Sequence, residues 1–126
     1  TGSVVAFEEV LDAARRSGVR VYAISLRRDR KDHVVAPSWQ MIQLANDTGG
    51  RAIAARDLVG LRQIFQDISV ELFHLYRLGY VPTGRANDGS WRRVAVRVPT
   101  KDLVVLSRSG YYAPRAPADL RRGTGP

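Results

Sequence analysis

The loop residues Asp29, Asp32 and His33 are the side chains best suited by type to hold a metal or contact a partner. Two carboxylates beside an imidazole offer oxygen and nitrogen ligands for a divalent ion, but their spacing matches no established ligand pattern. They are therefore read as a solvated charged loop that could also meet a partner. Ser25 has no nucleophile elbow around it, and sequence gives no reason to pair it with His33. No nucleophile, base and orienting group can be assembled. His74 falls near the end of a predicted helix, where an imidazole ordinarily satisfies the helix dipole. Gly49-Gly50 follows a helix rather than a strand and lacks the Lys-Ser/Thr pair of a phosphate loop, so it is read as a helix stop. The chain has no cysteine, which excludes disulfides, zinc-thiolate sites and cysteine nucleophiles. No catalytic, cofactor-binding or metal-ligating residue is assigned.

The elements that would position these residues follow from periodicity. Phe7, Val10, Leu11 and Ala14 recur at helical spacing, with acids early and arginines late. Gly18 stops that helix. Residues 19–26 are apolar on both faces apart from Arg20, as in a parallel strand covered by helices. Asp29, Asp32 and His33 then lie beyond the carboxyl end of this strand, where open α/β sheets bind ligands. Ser38 starts a second helix whose buried side is Met41, Ile42, Leu44 and Ala45. Residues 51–54 form a short strand. Asp57 caps a long helix with a stripe of Leu61, Ile64, Phe65, Ile68, Leu72 and Leu75. Phe65 is expected to be buried, with about 3–5 kcal/mol lost on truncation to alanine. From Tyr76 the period changes to two. Residues 76–81, 93–98 and 103–108 read as three antiparallel strands, with Asn87-Asp88-Gly89 as a turn. Tyr76, Tyr80, Trp91, Tyr111 and Tyr112 are expected to pack this meander against the long helix. Residues 1–75 thus form an α/β unit, 76–114 a β extension and 115–126 a flexible tail.

Composition narrows the class. A length of 126 residues suits one small domain or one α/β piece with an appendage, and 44% hydrophobic content can supply a core. No apolar run approaches the roughly 18 residues of a membrane helix. The first residue is Thr1, which suggests an excised or processed segment. A net charge of +8 allows a polyanion partner. The basic residues are scattered, however, and the one tight run, 27–31, is interrupted by Asp29.

The order of elements resembles the second half of a von Willebrand factor type A domain. The matching segments are Gly18-Val19-Arg20-Val21-Tyr22-Ala23-Ile24-Ser25-Leu26, then Leu44-Ala45-Asn46-Asp47-Thr48-Gly49-Gly50-Arg51, then residues 61–72. Tyr76-Arg77-Leu78-Gly79-Tyr80-Val81-Pro82-Thr83, Asp88-Gly89-Ser90-Trp91-Arg92-Arg93-Val94 and Gly110-Tyr111-Tyr112-Ala113-Pro114 resemble the ending of the VWFA-related family of Acidobacterial type. The resemblance covers roughly residues 6–114. It implies a partial doubly wound, Rossmann-like parallel sheet with flanking helices, followed by the three-stranded meander. It also implies an extracytoplasmic or secreted setting. Relatives of the wider type bind protein partners through Mg²⁺ held by an Asp-x-Ser-x-Ser loop, a Thr and a later Asp. That loop occurs nowhere here, and the later Asp would precede Thr1. No residue is carried over as a ligand, and no cofactor is expected for this segment.

The function implied is non-enzymatic: a protein-protein interaction or adhesion-type module of a bacterial VWFA-related protein, without its metal-dependent adhesion site. A basic nucleic-acid-binding module is the alternative. A hydrolase has no positive sign in the sequence. A strand at 19–26 lacking upstream neighbours would leave one edge open, so self-association is also expected.

Overall fold

The computed structural model describes residues 5–26, 28, 31, 33–84 and 87–115. Chain order is α1 (Phe7–Ser17), β1 (Ala23–Ser25), α2 (Trp39–Thr48), β2 (Ala52–Ala54), α3 (Leu58–Phe73), β3 (Trp91–Arg93) and β4 (Gly110–Tyr112). The architecture is mixed α/β. β1 and β2 pair in parallel, Ile24 opposite Ile53, and α2 is the crossover between them. β3 and β4 pair antiparallel, Trp91 opposite Tyr112. Val94 N–H donates to Ser109 C=O and Ala113 N–H to Ser90 C=O, both at 2.8 Å, which continues this ladder by one bond at each end.

Helix boundaries follow local chemistry. The Ser38 hydroxyl accepts from Met41 N–H at 3.4 Å, and the Asp57 carboxylate from Gly60 N–H at 2.7 Å. Gly18 and Gly49 take φ of 73° and 83°, left-handed values that a Cβ disfavours, and each ends its helix. At the end of α2, Gly50 N–H reaches Ala45 C=O and Gly49 N–H reaches Asn46 C=O. This pair of bonds satisfies carbonyls that the last helical turn leaves orphaned.

The core is built mostly from small residues. Leu11, Ala23, Ala45, Ala55, Ile68 and Ala113 are its buried apolar members. Alanines let backbones approach closely, so Leu11 of α1 carries much of the side-chain volume between α1, α2 and β4. Thr48 is also fully buried. Its hydroxyl accepts from Val21 N–H at 3.0 Å and donates back to Leu44 C=O at 2.9 Å, tying the end of α2 to the chain entering β1.

Several expectations are corrected here. The first strand spans three residues, 23–25, not 19–26. Residues 76–81 and 103–108 form no strand, and the three-stranded meander is replaced by the β3–β4 pair. Alternation assigns side chains to two faces, but a strand also needs a neighbouring backbone to accept its hydrogen bonds. Ile42 is exposed rather than buried. On α3 only Ile68 is buried, and Phe65 is 57% exposed. The stripe turns its Ile64 and Ile68 side inward and leaves Phe65 at the margin. Phe65→Ala is therefore expected to cost under about 1 kcal/mol in denaturant unfolding, because little buried area is lost. A loss of several kcal/mol would mean that Phe65 is buried after all.

Candidate functional site

Asp29 and Asp32 lie outside the described residues. His33 is exposed in the loop after β1. Ser25 is buried, and its hydroxyl donates to Val35 C=O at 3.3 Å, a bond that pins the same loop. His74 closes α3 with its Nδ1 2.7 Å from Val70 C=O, a helix-end bond. Among the described residues, no group of three or more His, Asp or Glu side chains stands ready to hold a metal. Among them too, no helix is long and apolar enough to cross a membrane.

Polar side chains converge instead at two places. The first joins α1, the end of α2 and β4. Arg15 Nε and Nη2 donate to Asp47 Oδ2 at 3.0 and 2.5 Å. The other oxygen of Asp47 accepts from the Ser109 hydroxyl at 2.9 Å. Arg108 Nη2 donates to Arg15 C=O at 2.5 Å, placing a cation at the negative end of α1. Arg16 and the Tyr112 hydroxyl both bond Asp12. The Arg16 guanidinium lies 3.9 Å from the Tyr112 ring centroid, and that of Arg15 lies 4.8 Å from Trp91. The Arg16 bond, then the Tyr112 bond, hold the Asp12 carboxyl below its ordinary range, and the Asp12 bond raises the Tyr112 phenol. Arg15, Arg16, Arg108, Tyr111 and Tyr112 line an open hollow of about 350 Å³ here. Trp91 and Tyr112, edge-on to each other at 4.8 Å, thus pack against α1 rather than α3, while Tyr80 meets Tyr111 at 6.1 Å and Tyr76 is exposed. Each guanidinium has a carboxylate or carbonyl partner, so the cluster clasps α1, the end of α2 and β4 together.

The second cluster anchors α3. Glu71 receives the Tyr22 hydroxyl, Arg51 Nη2 at 3.0 Å and, more distantly, Arg20 Nη1 at 3.8 Å. Burial and the Glu71 bond together raise the Tyr22 phenol. Glu71, half-buried, thus ties α3 to the residues that lead into β1 and β2, and Ile68 is the buried apolar residue of the helix. Glu71→Ala is expected to cost about 1–3 kcal/mol, since Tyr22 and Arg51 lose a charge-assisted partner in partly desolvated positions. The loss should appear in urea unfolding together with faster amide exchange along α3. An unchanged midpoint would show that the cluster contributes nothing to holding α3.

Sequence reasoning missed both clusters. Arg15 and Asp47 are 32 positions apart and Arg15 and Arg108 are 93 apart, and no local signal links them. No family model matches the chain, and neither a curated protein nor a solved structure shows significant similarity to it.

Proposed function

We propose that the chain is a non-enzymatic protein-protein interaction module, built as part of a VWFA-related α/β domain. Supporting that ancestry is the order α1-β1-α2-β2-α3, with the parallel β1–β2 pair joined through α2. The observation that carries the function is the outward face of α3. Leu58, Val59, Phe65, Val70 and Phe73 are all exposed, Phe73 at 89%, and Tyr76, Leu78, Tyr80 and Val81 continue the exposure beyond the helix. Isolated surface hydrophobes are ordinary, but this many exposed apolar side chains on one helix and the segment after it, with Arg62, Gln66 and Ser69 set among them, mark an interaction surface. Partner binding here uses apolar area and needs no metal.

The nucleic-acid alternative draws on the +8 charge. Against it, Arg15, Arg16, Arg20 and Arg51 already face carboxylates of the same chain. Two titrations separate the readings. An environment-sensitive apolar dye should brighten on the wild-type protein and lose that signal in Phe65→Glu/Phe73→Glu. Random duplex DNA should show weak binding. Tight duplex binding that falls steeply with salt, with no dye signal, would replace the interaction reading by the basic-module one.

A further inference from the structure

We infer that the partner of the α3 face is a second copy of this chain, docked through α3 and the residues just after it. The inference rests on the interaction reading above and names the occupant. Three observations favour a second copy.

The first is periodicity. Leu58, Phe65 and Leu72 recur every seven residues along α3, and Leu61, Ile68 and Leu75 do the same three positions later. This 3-4 alternation is the spacing by which one helix pairs with another. In the structure Ile68 of the second row is buried within the chain, while Leu58, Phe65 and Leu72 of the first row are exposed. Within the seam Ile68 is used internally, Leu61 is half-buried, and the first row together with Leu75 is left open. An open row of this kind is self-complementary: a two-fold axis across it sets the row of one copy against the same row of the other.

The second observation is charge. Residues 58–83 contain Arg62 and Arg77 against Asp67 and Glu71, so this stretch is neutral and the whole +8 lies elsewhere. Two such cations repel through most of their surface, and the α3 face is where they can meet without bringing like charges together. An acidic partner would have no electrostatic reason to choose this stretch.

The third is area. Leu58, Phe65, Leu72, Phe73, Leu75 and Tyr76 are all exposed, Tyr76 at 92%. With aromatic side chains of about 150–250 Å² each, these six present on the order of 800 Å², the amount one partner contributes to a standard interface. The self-association expected from an open β1 edge is thereby relocated: β1 offers three residues, α3 a sixteen-residue helix.

Sedimentation velocity over a wide micromolar range tests this. The wild-type chain should move from monomer to dimer mass as concentration rises. Phe65→Glu/Phe73→Glu should stay monomeric with an unchanged far-ultraviolet circular dichroism spectrum, whereas Arg93→Glu, on β3, should dimerise as wild type. Should the double variant lose structure, Phe73→Ser alone serves, and it should weaken the dimer at least tenfold. A wild-type chain monomeric throughout, or a dimer that survives the α3 substitutions, overturns the inference. The apolar-dye titration distinguishes the two failures: a monomer that still binds dye at α3 removes only the second copy, and one that does not removes the interaction reading too.

Discussion

Gly50→Ala is expected to leave little or no folded protein. A Cβ at this position would overlap the Val21 carbonyl oxygen outright and stand 2.7 Å from the Val21 carbonyl carbon. Both are backbone atoms at the entry to β1, so no side-chain rotation can relieve the overlap. Gly50 is also fixed from the other side by its N–H bond to Ala45 C=O at 2.9 Å. Room for a methyl group can come only from moving the end of α2 away from β1. That movement stretches the Thr48 to Val21 bond of 3.0 Å and opens the alanine core between them. Ordinary overpacking costs roughly 1–3 kcal/mol, and a clash against backbone that no rotamer change can relieve belongs above that range. Circular dichroism and thermal unfolding of Gly50→Ala provide the check. A variant that melts within a few degrees of wild type would mean that α2 and β1 are not in this contact.

Leu11→Ala is expected to have the next largest effect. Leu11 is 1% exposed, the largest fully buried apolar side chain among the described residues. Its neighbours in the core are mainly alanines, which cannot swing into the vacated space. The loss should lie at about 2–5 kcal/mol, transfer and cavity together. Small domains are stable by only about 5–15 kcal/mol, so a large fraction of the chain would be unfolded at elevated temperature. Urea unfolding measures this directly. Val10→Ala on the same helix, at an exposed position, should change stability little. Equal losses at the two positions would show that α1 is rotated relative to this description.

These effects also mark where the sequence was legible. Ser38, Asp57, Gly18 and Gly49 could be assigned as helix caps because a cap bonds residues two or three positions away. The parallel β1–β2 pair was readable because an apolar strand, a helix and a second short strand follow one another without interruption. The β extension was not. Tyr76, Leu78 and Tyr80 alternate as a strand would, yet β4 joins β3 and neither includes these residues. The Asp47–Ser109 and Arg15–Arg108 bonds, which fix where β4 sits, span 62 and 93 positions. On α3, periodicity identified an apolar side but could not reveal whether anything covers it. Hence Phe65 was expected inside and lies at the surface. Of the three residues proposed for partner contact, Asp29, Asp32 and His33, only His33 falls among the described residues, and it is exposed.

Hydrogen exchange read by mass spectrometry at low and high protein concentration tests the role of α3 most directly. Amide protection should rise with concentration across residues 58–81 and stay constant in α1, α2 and the β3–β4 pair. Protection that rises at β1, or that does not change anywhere, would contradict the assignment of α3 as the interaction surface.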